Sequence, residues 1–216
     1  MRTGIWVIVF MTGFLWSTAS QAQDDDTILF DLGYVEDNIF YNDFFEFEFK
    51  IPGNWDYKLD TDQKIVKKAL KKAFGESSEL RYYLDPAEVQ TAILVMITRK
   101  VTYGESYLTP NMIVMIENIG STLIRTAPEY LASSARGMKM TNPDVKISKD
   151  EYLRFQFGGK TFFAMNTKTK VGSTKLNQMV CSTIIGDFAF STVLTYMEKD
   201  QLPEMLQIME SFIFED

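Results

Sequence analysis

Histidine is missing from this 216-residue chain, and cysteine occurs once, at Cys181. The absence of histidine excludes Ser-His-Asp and Cys-His catalysis, zinc held by histidine and pH switching by imidazole. A single thiol excludes a thiolate zinc site and an iron–sulfur cluster. Any catalysis would therefore rest on carboxylates, lysine, tyrosine, serine or threonine, or on a metal held by oxygen atoms. No stretch carries a recognisable catalytic or cofactor motif, and the sequence predicts neither a cofactor nor a metal.

The one cysteine, Cys181, lies in residues 176–185, a run that predicts a strand. A free cysteine in such a run is typically buried and inert. A nucleophilic thiol or a bridge to another molecule is the alternative. That alternative is disfavoured because no histidine is available to activate the thiol.

Basic residues are outnumbered, since 22 Lys and Arg stand against 29 Asp and Glu and give a net charge of −7. Binding of nucleic acid requires a concentrated basic surface, so this composition excludes nucleic acid as a partner. Proline and glycine are also scarce, at 6 and 12 residues. Together with the absence of low-complexity tracts, this argues against long disordered parts. The length suits one domain with its own core.

The first residues have the pattern of a targeting signal. Met1-Arg2 is followed by an uncharged apolar run over residues 5–16 and then by small polar residues ending at Ala22. The apolar run is shorter than the about 20 residues that span a bilayer. This order is typical of a secretory signal peptide. We predict a signal peptide over residues 1–22, cleaved near Ala22, with a retained anchor as the alternative and no transmembrane segment in the mature chain. The protein is then exported to the periplasm or the extracellular space.

The mature chain is divided by composition and patterning. Residues 23–37 are predicted as an acidic, partly mobile leader, and residues 38–216 as one domain. Apolar side chains alternate with Glu46, Glu48 and Lys50 over residues 45–51, which is typical of a half-buried strand. After a turn, a second alternation over residues 55–59 predicts a returning strand.

Helical spacing predicts three helices, over residues 63–74, from the N-cap Thr126 to about residue 138, and within residues 200–214. Apolar runs at residues 92–97 and 112–116 predict two central strands joined by a long loop, residues 98–111. Between residues 145 and 196, strand-like segments separated by Gly158-Gly159 and Gly186-Asp187 predict hairpins. This order predicts an α+β domain, in which helices flank a largely antiparallel sheet.

Several segments resemble a known family. They are residues 45–55, which read FEFEFKIPGNW, residues 202–214, which read LPEMLQIMESFIF, and three shorter pieces at residues 111–118, 129–131 and 158–160. Together they resemble exported bacterial relatives of the PsbP-like fold, over nearly all of the mature chain. The resemblance implies an α-β-α sandwich. Plant members are extrinsic lumenal subunits of photosystem II, and a nuclear relative binds the small GTPase Ran. The shared element is protein binding without catalysis, and the matching positions are structural.

A binding role is therefore the first functional prediction: an exported, non-catalytic binding or accessory protein whose partner is another envelope or extracellular protein. The candidate surface is the long loop with Arg99, Lys100, Tyr103 and Tyr107, because it carries both aromatic and charged side chains. One alternative is a carboxylate-based hydrolase without a recognised motif. Another is a small-ligand carrier with an apolar cavity between sheet and helices.

Overall fold

The computed structural model describes residues 30–59, 83–84, 89–100, 109–148, 152–171 and 174–215. Within these residues, fourteen strands and two α-helices are present. In chain order the elements are β1 (Phe30–Asp31), β2 (Tyr34–Glu36), β3 (Ile39–Asn42), β4 (Phe47–Lys50), β5 (Trp55–Leu59), β6 (Tyr83–Leu84), β7 (Thr91–Arg99), β8 (Asn111–Asn118), α1 (Ala127–Thr141), β9 (Lys146–Ile147), β10 (Leu153–Phe157), β11 (Lys160–Val171), β12 (Thr174–Ile185), β13 (Phe188–Tyr196), α2 (Leu202–Glu210) and β14 (Ile213–Phe214).

Two antiparallel sheets organise the fold. The larger sheet has the strand order β10-β11-β12-β13-β8-β7-β5, with β9 also paired to β11. The smaller sheet has the order β14-β4-β3-β2, and β1 pairs separately with β6. The smaller sheet therefore combines strands from the beginning of the described chain with its last strand.

Buried phenylalanines join the two sheets, and we call them the phenyl cluster. Its members are Phe47, Phe49, Phe162, Phe190, Phe212 and Phe214, each at most 7% exposed. Phe47 of the smaller sheet lies 4.9 Å, between ring centroids, from Phe190 of the larger sheet and 4.9 Å from Phe212. Alternation explains the cluster, because every second residue of β4 points inward while Glu48 and Lys50 point outward. Edge-to-face aromatic pairs of this kind add to the gain from burying the rings.

Helix α1 covers part of the opposite face of the larger sheet. Leu131 and Met138 of the helix pack with Met165 of β11 and Val180 of β12. The predicted cap at Thr126 is confirmed, because its hydroxyl accepts from the Glu129 backbone N–H at 3.4 Å while the Glu129 carboxylate accepts from the Thr126 N–H at 3.0 Å. This is a capping box, which supplies partners for the first free amides of the helix.

Most predicted elements that fall on described residues are confirmed, but some pairings and bounds differ. The strand at residues 55–59, β5, does not pair with the preceding strand β4. It pairs with β7 in the larger sheet instead. Residues 30–36, which belong to the predicted acidic, partly mobile leader, include β1 and β2, and Phe30 is fully buried. Phe30 packs edge-on against Phe45 at 6.0 Å, so this part of the leader contributes to the core.

The predicted hairpins after β10 and β12 are present, with Gly158, Gly159 and Gly186 at positive φ, as tight turns require. The predictions for the signal peptide, for the start of the leader and for a helix over residues 63–74 lie outside the described residues. Among the residues that are described, no helix has the length and apolar character needed to cross a membrane. The architecture is α+β and dominated by antiparallel sheet.

Candidate functional site

Two of the four predicted loop residues lie at the base of the loop, where β7 ends. The Arg99 guanidinium lies 4.0 Å from the Glu204 carboxylate of α2. The Lys100 ammonium donates to the Gly53 carbonyl at 2.8 Å and lies 3.6 Å from the Asp56 carboxylate. Both cations are therefore anchored to the framework as well as placed beside the loop. Tyr103 and Tyr107 fall outside the described residues.

The backbone also fixes where the loop begins and ends. The Arg99 N–H donates to the Pro110 carbonyl at 3.0 Å, which closes the β7–β8 pair directly below the loop. The Lys100 N–H donates to the Asn54 carbonyl at 2.9 Å, so the first residue after β7 is tied to the turn before β5. Backbone pairing on both sides holds the two loop ends at a defined separation.

Glu204 also contributes to this base, although no pattern in the sequence identified it. Its Oε1 accepts from the indole N–H of Trp55 at 2.9 Å and from the Asn54 side-chain amide at 3.0 Å. Trp55 is 3% exposed, so its N–H needs a partner within the protein. The two residues are 149 positions apart, and no local pattern connects them. The carboxylate joins the turn, the end of β7 and α2.

The outer face of the smaller sheet carries two adjoining depressions. The first, of about 340 Å³, is lined by Ile39, Glu48, Phe49, Lys50, Glu210, Ser211 and Ile213. The second, of about 220 Å³, is lined by Tyr41, Asn42, Asp43, Glu46, Phe47, Glu48 and Glu215. Glu46 and Glu48, the carboxylates that alternate in the sequence, thus line one depression together. Among the described residues, no group of three or more acidic or cysteine side chains is arranged to hold a metal ion.

Buried nucleophiles and acids lie elsewhere in the fold. Cys181 is fully buried, and burial raises the pKa of its thiol to about 12, so the thiolate is scarce at neutral pH. The prediction that Cys181 is buried is therefore confirmed. Beneath α1, the Tyr130 hydroxyl donates to the Glu117 carboxylate at 2.8 Å, and burial raises the pKa of Tyr130. The hydrogen bond between Tyr130 and Glu117 holds α1 on the sheet.

The comparisons with known proteins concern the fold. No family model and no curated protein matches the sequence. Among solved structures, the chain is similar to cyanobacterial PsbP (CyanoP) from Synechocystis sp. PCC 6803, with a TM-score of 0.50 and 13% identity over 82% of this chain and 91% of that one. The chain therefore has a PsbP-like fold, as the resemblance implied.

Two further similarities are weaker. LpqN, involved in cell envelope biogenesis of Mycobacterium tuberculosis, gives a TM-score of 0.45 and 13% identity over 79% of this chain and 83% of its own. PA94 from Pseudomonas aeruginosa, a protein of unknown function, has a TM-score of 0.48 and 13% identity over 65% of this chain and 95% of its own. At these values neither similarity bears on function.

Glu204 provides the first test of the loop base. Glu204→Ala removes the acceptor for the buried Trp55 N–H, and we expect it to lower the free energy of unfolding by about 1–2 kcal/mol. Glu204→Gln keeps one oxygen as the acceptor for the Trp55 N–H but loses the charge and the ion pair with Arg99, so its loss of stability should be less than half as large. Urea titration followed by tryptophan fluorescence measures both. Equal losses in the two variants would show that the hydrogen bond does not stabilise this base.

Proposed function

We propose that this is an exported, non-catalytic accessory protein that binds another envelope or extracellular protein through the loop at residues 98–111. Tyr103 and Tyr107 supply the aromatic contacts, and Arg99 and Lys100 supply positive charge at the base. Aromatic and arginine side chains are the types that most often dominate the energy of protein interfaces.

The single observation that supports this proposal is the anchoring of the loop base. Contacts from Arg99 to Glu204 and from Lys100 to Gly53 and Asp56 tie the end of β7 to two other elements. A loop whose ends are already fixed loses less conformational freedom when it binds than one on a loose support. Binding residues on loops positioned by a rigid framework are a common arrangement in proteins.

The carboxylate-based hydrolase remains as a second candidate on one specific observation. Glu46 and Glu48 line the same depression with Asp43 and Glu215, and paired carboxylates are the machinery of glycoside hydrolysis. A ligand carrier has less support, since both described depressions lie on the outer face of the smaller sheet, away from the space between sheet and helices.

The complete architecture that we propose is the α-β-α sandwich, with a helix over residues 63–74 beside α1. Half-buried Met96, Ile113 and Met115 alternate with core residues along β7 and β8, so they face away from the phenyl cluster. They lie on the face that α1 covers farther along the sheet. The apolar stripe predicted on residues 63–74 matches this apolar surface.

Leu70 tests that helix. Leu70→Ala removes an apolar side chain from the proposed contact, and we expect it to lower the free energy of unfolding by about 2–3 kcal/mol. Lys71→Ala, one position further along the same segment, should change the free energy of unfolding by less than about 0.5 kcal/mol. Urea titration of the two variants gives the comparison, and indistinguishable small effects would contradict the proposed packing.

The partner-binding proposal is tested by crosslinking the tagged, exported protein in its own cells and identifying what it captures. We expect one envelope or extracellular protein in stoichiometric amounts with the wild type. The double variant Tyr103→Ala, Tyr107→Ala should lose that protein by tenfold or more, in line with about 1.4 kcal/mol or more from two aromatic contacts.

Tyr57→Ala is the matched control, because Tyr57 is an exposed tyrosine on β5, outside the loop. It should capture the partner as the wild type does. Retention of the partner by the loop variant, or equal loss in both variants, would overturn the assignment of the loop. Capture of nothing but the protein itself would overturn the accessory role.

A further inference from the structure

A row of outward-facing side chains crosses the smaller sheet from edge to edge. The register aligns Tyr34 of β2 with Tyr41 of β3, Tyr41 with Glu48 of β4, and Glu48 with Ile213 of β14. We call these four residues the tyrosine row. With three strand spacings of about 4.8 Å, the row is about 14 Å long. That length matches four or five residues of an extended peptide.

The two tyrosine rings form one aromatic surface. Their centroids are 5.3 Å apart with an interplanar angle of 22°, so the rings stack across β2 and β3. Burial and the charge of Glu48, followed by smaller contributions from Tyr34, Glu36 and Asp37, raise the pKa of Tyr41. The hydroxyl end of the stack therefore lies in a negative field.

The two depressions flank the row and share Glu48. Acidic side chains outnumber basic ones in their lining, where Lys50 is the one cation among the lining residues that the structure describes. The acidic side chains are Asp43, Glu46, Glu48, Glu210 and Glu215. Ile39 and Ile213 add apolar surface to the first depression.

We propose that this outer face docks an extended lysine- or arginine-rich segment of a partner protein. A cationic head above the face of a tyrosine ring is attracted by the negative face of the ring, while the aliphatic part of the side chain covers the ring itself. A depression on each side of the row receives neighbouring side chains, whose positive charge complements the carboxylates. Phosphate-bearing ligands are repelled by the same charges. None of the residues that line the two depressions belongs to residues 98–111, and the proposal does not depend on that loop.

The test uses the purified mature protein and a fluorescein-labelled ten-residue peptide of alternating lysine and alanine. Fluorescence anisotropy should show saturable binding that weakens as salt is raised from about 50 to about 500 mM. The matching glutamine–alanine peptide should bind at least tenfold more weakly. Failure of the lysine peptide to bind would overturn the proposal.

Variants of the row separate a specific site from attraction to an acidic protein in general. Tyr41→Ala should weaken peptide binding about three- to tenfold, while Tyr41→Phe, which keeps the ring, should bind like the wild type. Glu48→Gln should weaken binding about as much and flatten the salt dependence. The unfolding midpoint of each variant shows whether it has folded.

Matched controls carry the same changes elsewhere. Tyr57→Ala removes an exposed tyrosine from β5, and Asp144→Asn removes an exposed carboxylate after α1. Both should leave peptide binding unchanged. Equal weakening by Asp144→Asn would show that net charge alone attracts the peptide, and equal weakening by Tyr57→Ala would show that the peptide does not depend on the tyrosine row; in either case the assigned surface would be wrong. The loop variant Tyr103→Ala, Tyr107→Ala should still bind the peptide, so the outcome here is independent of the loop proposal.

Discussion

The packing of phenylalanine rings between the two sheets is the interaction on which the rest of the structure depends. Each buried ring contributes about 2–3 kcal/mol from removal of apolar surface, and ring pairs in edge-to-face geometry add about 0.5–1.5 kcal/mol. Phe47 contacts both Phe190 of the larger sheet and Phe212, which follows α2. The cluster therefore positions α2, and with it Glu204, against Trp55. It also directs the inner face of the smaller sheet to the core and leaves the tyrosine row outside.

Local signals in the sequence predicted much of this fold. Strict alternation around Glu46 and Glu48 identified a half-buried strand, and the spacing from Thr126 to Glu129 identified the start of α1. Glycines at Gly158 and Gly186 marked two hairpin turns. Each of these signals depends on residues within a few positions of one another, where backbone geometry and side-chain chemistry alone decide the outcome. The PsbP-like resemblance rests on the same kinds of core and turn residues.

Pairings between distant segments could not be predicted in the same way. Whether β5 joins β4 or β7 depends on which sheet buries Trp55, and alternation is satisfied by either choice. The contact of Trp55 with Glu204, like the tyrosine row ending at Ile213, requires the chain terminus to return to its beginning. Glu46 also adopts a positive φ of 47°, so the regular strand begins only at Phe47, later than alternation suggests. The candidate surfaces are thus products of tertiary packing, and sequence patterns identified only parts of them.

The central claim is that the phenyl cluster joins the two sheets into one cooperative unit. Native-state hydrogen exchange measures this directly, because amides that open only with the whole domain share one free energy of opening. If the phenyl cluster couples the two sheets, amides of β3 and β4 exchange with the same opening free energy as those of β12 and β13. If amides of the smaller sheet exchange with a clearly lower free energy, while β12 and β13 stay protected, the sheets unfold separately and the phenyl cluster does not couple them.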